Sequence, residues 1–399
     1  MSERGIVGDC NVNKGGTAYM TPFADESQQR AFFIKKKGKK TMASATTVDK
    51  NFQVWQDFDK SKLDFYDALE APLQVHGLIF PEAEGDYFRR IPKELAKQVN
   101  EGVLALHEDS AGGRVRFRTN ATQIALFAEE GNVEVYNHFA LTGSCGFDMY
   151  AGARYVNTFR PPSTIVDGFA ALLEIPPEVP HENGEREITI NFPLYSHVKK
   201  VTIGVNKGAT MKAPKAYKYP KPIVYYGSSI TQGGCASRPG NSYQAIISRK
   251  LDCEYINLGF SGSARAELPM AEYIANLDME IFVYDYDHNA DSPEYLNETH
   301  QRMFKIIREK NPELPVVMVS RPRYYNEDED TRKRLAVIKR TYDEAVAAGD
   351  KNVYYIDGGE MMHKYCDDCG TVDGIHPNDH GFVAMAKGIG EVLEKILKA

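Results

Sequence analysis

Between residues 113 and 121 the chain alternates. In GRVRFRTNA, Val115 and Phe117 fall on one side and three arginines on the other, the period of two that a half-buried strand imposes. TQIALFAEE (122–130), GNVEVYNHFAL (131–141), GARYVNTFR (152–160), REITINFPLY (186–195) and KKVTIGV (199–205) read as further strands, with Gly, Pro, Asn and Asp clustered between them. Short strands divided by turn signals, with few helical stretches, predict a β-sandwich over 42–206. KGATMKAPKAYKYPKP (207–222) carries three prolines and five lysines and reads as a linker.

From 223 the rhythm changes. Short apolar runs, IVYY (223–226), YINLGF (255–260), EIFVYDY (280–286), PVVMVS (315–320) and VYYID (353–357), alternate with helical patterns near 242–250, 267–277, 293–310 and 329–348. Phe382, Met385, Ile389, Val392, Leu393, Ile396 and Leu397 recur at three- and four-residue spacing in a last helix. This is the pattern of an α/β domain, 223–399, whose parallel sheet is covered on both faces. Ligands of such sheets sit at the carboxyl ends of strands, so the residues after each run carry the candidate chemistry.

Composition narrows the classes. A chain of 399 residues suggests two to three domains, and a net charge of −7 disfavours a nucleic-acid or anionic-membrane partner. No apolar run has the length of a membrane span. The start, MSERGIVGDCNVNKGG, has no apolar stretch after basic residues, so no secretory signal is expected. Six cysteines (10, 145, 235, 253, 366, 369) are then expected to be reduced thiols in a cytoplasm. Residues 1–41 are polar, with little periodicity, and end in KKKGKKT before Met42. They read as a solvated segment, or as a non-native leader: Lys and Gly codons are purine-rich, so KKKGKK is the translation expected of a ribosome-binding site ahead of a start at Met42. Cys366 and Cys369 form one C-x-x-C. A structural zinc site usually draws on two such pairs, and no second pair is present, so no metal is expected.

Each strand end then offers something. After IVYY come Gly227, Ser228 and Ser229. A serine on a tight strand-to-helix turn either presents its hydroxyl as a nucleophile or caps the helix. The second run closes on NLGFSGSA, whose Gly259 and Gly262 allow close backbone approach or make a plain turn. After the third come His288 and Asn289, and an Asn amide can donate to an oxyanion or form an Asx turn. CDDCGTVDGIHPNDHG holds Asp373 and His376 three apart on one loop, a base with its orienting acceptor. His380 reads as an ordinary histidine at a helix start.

Taken together, GSSI, NLGFSG, DHNA and DGIH resemble the four blocks of the SGNH hydrolases, also called GDSL esterases. The resemblance implies Ser229 as nucleophile, with Ser228 where the family carries Asp. It implies Asp373 and His376 as the rest of a triad, and an oxyanion hole of Ser229, Gly262 and Asn289. DHNA departs from the family's G-x-N-D on both sides of the Asn. The implied fold is an α/β/α, flavodoxin-like domain. GFDMY (146–150) resembles the G-x-D-L-Y motif of a β-sandwich domain that precedes one SGNH branch. By analogy with two-domain relatives that carry a jelly roll in front, the resemblance implies an esterase acting on O-acetyl groups of carbohydrates, without metal or organic cofactor. Asp148 and Tyr150 would then either reach the mouth of the site and touch substrate, or hold a corner of the sandwich. A thioesterase or lysophospholipase, and a glycan-binding protein with a silent site, are the alternatives. The expected partner is a small-molecule or oligosaccharide ester, not nucleic acid or a membrane. A homo-oligomer is compatible with all of this.

Overall fold

Alternation builds two antiparallel sheets in the first half of the computed structural model, which describes residue 49 and residues 58–399 apart from 84, 132, 166, 324–327 and 367. The expectations for residues 1–41 lie outside the described residues. The strands are β1 (Leu63–Asp67), β2 (Gln74–His76), β3 (Arg114–Thr119), β4 (Gln123–Gly131), β5 (Phe147–Ala151), β6 (Arg154–Phe159), β7 (Gly168–Glu174), β8 (Arg186–Asn191), β9 (His197–Asn206) and β10 (Met211–Lys212). One sheet runs β1-β9-β4-β7, the other β10-β3-β8-β5-β6 with β2 against β3. Val115, Phe117, Met149 and Ile190 of the second share one apolar core with Ile124, Leu126, Ile203 and Val205 of the first, so the sheets pack face to face as a sandwich.

Two expectations change here. The strand expected over 131–141 does not form among residues 133–141: β4 ends at Gly131, and a turn leads into a four-residue helix. Helices α1 (Lys93–Val99) and α2 (Glu101–Leu106) precede that short one, α3 (Leu141–Ser144). The apolar positions Tyr136 and Phe139 pack instead on Tyr195, where the sandwich joins a core of the second domain. The stretch 207–222 is also not a free linker, because Met211 pairs with Thr119 and Tyr219 with Cys253.

The second domain has five parallel strands, β11 (Tyr219–Gly227), β12 (Cys253–Gly259), β13 (Ile281–Asp285), β14 (Val316–Val319) and β15 (Val353–Ile356), in the order β12-β11-β13-β14-β15. Its helices are α4 (Ser229–Gln232), α5 (Tyr243–Leu251), α6 (Leu268–Ala275), α7 (Pro293–Lys310), α8 (Glu329–Ala347), α9 (Gly358–Tyr365) and α10 (Asp379–Lys398). Along β11 the side chains divide by parity: Ile223 and Tyr225 join the core under α5 and α10, while Val224 and Tyr226 join the core under α6, α7 and α8. The chain leaves β11 to β12 on one side and returns to β13 on the other. That reversal opens a crevice at the carboxyl ends of β11 and β13. Among the described residues no helix is long and apolar enough to cross a membrane.

On the arginine side of β3, Arg114 reaches the second domain. Arg114 is 1% exposed and Arg116 5%. Arg114 pairs with Glu254, donates to Tyr217 Oη at 2.9 Å, and lies 4.0 Å over the Tyr255 ring. His76 contacts the same carboxylate. Burial alone would raise the Glu254 carboxyl, but the Arg114 charge and the His76 hydrogen bond outweigh it and hold it down to about 2. Its folded value lies below the ordinary 4.5, so the stability it contributes is complete above that pH and is lost as pH falls through about 2. Glu254→Gln leaves the Arg114 charge buried beside a neutral amide and is expected to cost about 3–5 kcal/mol at pH 7. Denaturant unfolding would measure it, and a loss below about 1 kcal/mol would show that Arg114 does not depend on this carboxylate.

Candidate active site

The turn after β11 sorts the two serines. A Cβ on Gly227 would lie 1.8 Å from Asp285 Oδ1 and 2.2 Å from Thr231 Oγ1. Glycine therefore leaves room for the Thr231 hydroxyl to donate to the buried Asp285 carboxyl, which burial pushes up to about 8 against that hydrogen bond. Ser228 is extended and caps α4, its Oγ accepting from the Ile230 N–H at 3.2 Å. Ser229, the first residue of α4, places its Oγ 3.0 Å from His376 Nε2. The cap and the contact with His376 thus fall to different serines.

The loop before α10 folds on Asp373. One carboxylate oxygen accepts the backbone N–H groups of His376 at 2.7 Å and Ile375 at 3.0 Å, and the other lies 2.7 Å from His376 Nδ1. Gly374 turns the chain at φ +86°, a region that glycine enters without strain. Partial burial would raise the Asp373 carboxyl, but these three hydrogen bonds and the histidine outweigh it and hold it down to about 2. The spacing of three is what allows one carboxylate to grip both the backbone and the ring of His376.

On the opposite side, the Ser229 N–H opens a helix and has no intrahelical acceptor. The Asn289 amide donates to Phe260 O at 2.9 Å, which fixes it against the turn that contains Gly262 two residues later. An amide nitrogen has a second N–H. The arrangement can do nucleophilic chemistry: a hydroxyl on an imidazole, an imidazole on a carboxylate, and amide donors nearby.

Several supports were not visible in the sequence because they span the two domains. Tyr195 Oη donates to Ser229 O at 3.2 Å. The Gln232 amide donates to Asp109 Oδ2 at 2.8 Å, while its oxygen accepts from the Ser261 N–H at 3.0 Å. Arg90 donates to Gly259 O and lies 4.4 Å from the Phe260 ring centroid. The sandwich thereby braces both the Ser229 turn and the Gly262 turn. The loop 133–140 adds His138 and Phe139, whose rings lie 5.5 and 6.4 Å from that of His376.

Asp148 and Tyr150 are not at the mouth, which corrects their expected contact with substrate. Asp148 is fully buried, accepting from Asn191 Nδ2 at 2.8 Å, Arg238 Nη1 at 2.9 Å and the Gly240 N–H at 2.9 Å. Tyr150 Oη accepts from the same Arg238 and donates to Gly240 O at 3.4 Å. A carboxylate so enclosed cannot meet a ligand; the pair pins the segment after α4 to the sandwich. The His380 ring takes no part in the serine–histidine–aspartate line.

Residues 220–394 match the model of the GDSL-like lipase/acylhydrolase family, and residues 63–211 match the GxDLY model, the "N-terminus of Esterase_SGNH_hydro-type". No curated protein matches the chain. Among solved structures, a protein described as a GDSL-like lipase from Bacteroides ovatus is 28% identical, with a TM-score of 0.73 over 84% of this chain and 98% of its own. A salicylyl-acyltransferase from a tetracycline biosynthetic pathway shares the fold at 17% identity and a TM-score of 0.68, over 84% of this chain and 98% of that one. An acetyl xylan esterase from the rumen bacterium Butyrivibrio proteoclasticus does so at 11% identity and 0.54, over 84% and 99%. With both of its halves matched in order, the chain belongs to the GDSL-like acylhydrolases, or SGNH hydrolases, as a member with a GxDLY domain in front.

Proposed function

We propose that the protein is a serine esterase that hydrolyses small acyl esters, acetyl foremost, on carbohydrates through an acyl-enzyme. The observation that carries this is the unbroken line from Asp373 through His376 to Ser229 at the crevice of the parallel sheet. The substrate class is supported by the shared fold of an acetyl xylan esterase.

In this mechanism His376 Nε2 takes the Ser229 proton as Oγ attacks the ester carbonyl. Asp373 accepts the Nδ1–H, which fixes the tautomer and favours the imidazolium as it forms. The imidazolium then gives its proton to the departing sugar oxygen. Water, activated by the same nitrogen, attacks the acyl-serine and releases the acid. The Ser229 and Gly262 N–H groups and the Asn289 amide take the developing oxyanion.

Asn289→Ala is expected to slow acylation by about 10²–10³, the usual cost of one such donor. A single-turnover rate within about threefold of wild type would remove the residue from that role. The substrate class is tested with p-nitrophenyl acetate, butyrate and octanoate, followed by acetic acid release from acetylated xylan and mannan oligosaccharides. Preference for acetate together with acetic acid release supports the reading. Preference for octanoate without release overturns it in favour of a longer acyl chain.

A further inference from the structure

The C-x-x-C pair acquires a third partner in the folded chain. Cys366 is the residue that ends α9, Cys369 follows three later, and His380 is the second residue of α10. One donor atom from each, two sulfurs and an imidazole nitrogen, all lie within 4.8 Å of one another. Cys366 is 6% exposed, whereas Cys369 and His380 are open to solvent. In the sequence the two cysteines stand fourteen and eleven residues before a histidine with no evident tie to them. The fold joins them by closing the base of the intervening loop: Asn378 N–H donates to Gly370 O at 3.0 Å and its side chain to Cys369 O at 2.6 Å. Gly381 seats α10 against the same segment, where a Cβ would lie 2.2 Å from Gly370 O.

These donors suit one class of ion. Thiolate and imidazole select zinc over the hard cations magnesium and calcium. At about 2.3 Å to sulfur and 2.0–2.1 Å to nitrogen, tetrahedral ligands stand roughly 3.5–3.8 Å apart, so the three need close by only about 1 Å. The open side leaves the fourth position to water. Binding would expel the thiol protons to solvent. Asp373 and His376 lie on the loop between Cys369 and His380, so an ion here ties together the two helices that hold the loop's ends.

We propose that Cys366, Cys369 and His380 form a zinc site that staples the base of the loop carrying Asp373 and His376. The binding does not depend on the esterase reading; only its value for turnover rests on that reading. A second grouping, His138, Cys235 and His376, also brings three donors within 4.8 Å, but an ion there would take His376 from Ser229 and block the site. The experiment has to separate the two.

Untagged wild type, Cys369→Ser, His380→Ala and Cys235→Ser would be titrated with zinc, desalted and analysed by plasma mass spectrometry, with cobalt absorption as the report on thiolate ligation. The expected result is about one zinc per chain, and a thiolate-to-cobalt band, in wild type and Cys235→Ser. Both signals should be lost in Cys369→Ser and His380→Ala. These two positions are exposed, and circular dichroism would verify that both variants fold. No retained zinc and no cobalt band in wild type would overturn the proposal. So would zinc kept by Cys369→Ser and His380→Ala but lost in Cys235→Ser. Hydrogen exchange of residues 371–378 reads the staple itself: it should slow with zinc, and unchanged exchange would overturn that role.

Discussion

Ser229→Ala is expected to lower kcat/KM for p-nitrophenyl acetate by about 10⁴-fold or more, because nothing else in the line can form the acyl-enzyme. The neighbouring Ser228→Ala is expected to stay within about tenfold. Its hydroxyl accepts the Ile230 N–H and lies outside the contact with His376, so its loss costs a helix cap, about 0.5–2 kcal/mol of stability. The pair makes the experiment discriminating, since both serines are buried on the same turn and differ only in which group they meet. A Ser229→Ala enzyme that retains more than about a tenth of wild-type turnover would end the triad reading, whatever Ser228→Ala does.

The second large effect is expected at Asp373. One carboxylate oxygen is committed to the backbone N–H groups of Ile375 and His376, and the other to the His376 ring. In Asp373→Asn the amide oxygen satisfies the two backbone donors, which leaves the NH₂ facing Nδ1. The ring must then accept at Nδ1 and carry its proton on Nε2, where Ser229 needs an acceptor. The fold of the loop survives and the base is lost. We expect kcat to fall by about 10²–10⁴ with KM little changed. Nitrogen NMR of the imidazole would show the proton moved to Nε2. A loss under tenfold with an unchanged tautomer would mean that Asp373 only shapes the loop.

Much of the architecture could be read from periodicity. The parity of Ile223 to Tyr226 separates the two faces of the parallel sheet, and the last helix shows its apolar stripe plainly. Serine, asparagine and the Asp-x-x-His loop stood at strand ends where ligand chemistry belongs. Three things were hidden for a common reason: their partners are distant in sequence. Tyr136 and Phe139 are spaced like strand residues but pack on Tyr195, more than fifty residues away, at the core between the domains. Arg114 and Arg116 alternate like a solvated strand face yet are buried, Arg114 on Glu254 and Tyr255 of the second domain and Arg116 under the Tyr217 ring. Tyr195, Asp109 and Gln232 form a hydrogen-bonded frame that no local pattern announces. Asp148 was singled out by its motif, but only its enclosure by Arg238, Asn191 and Gly240 shows that it holds the two domains together.

The braces from Tyr195, Asp109 and Arg90 end on Ser229, Gln232 and Gly259, and this bears on how such an enzyme can change. A graft that exchanged the sandwich for another would have to carry those three positions along, or the turn that presents Ser229 would lose its footing. Drift in the sandwich is therefore not free at the face it turns to the crevice. Variation that retunes what the enzyme accepts is expected to gather in the 133–140 loop, beside His138 and Phe139, where the chain reaches His376 from outside that frame.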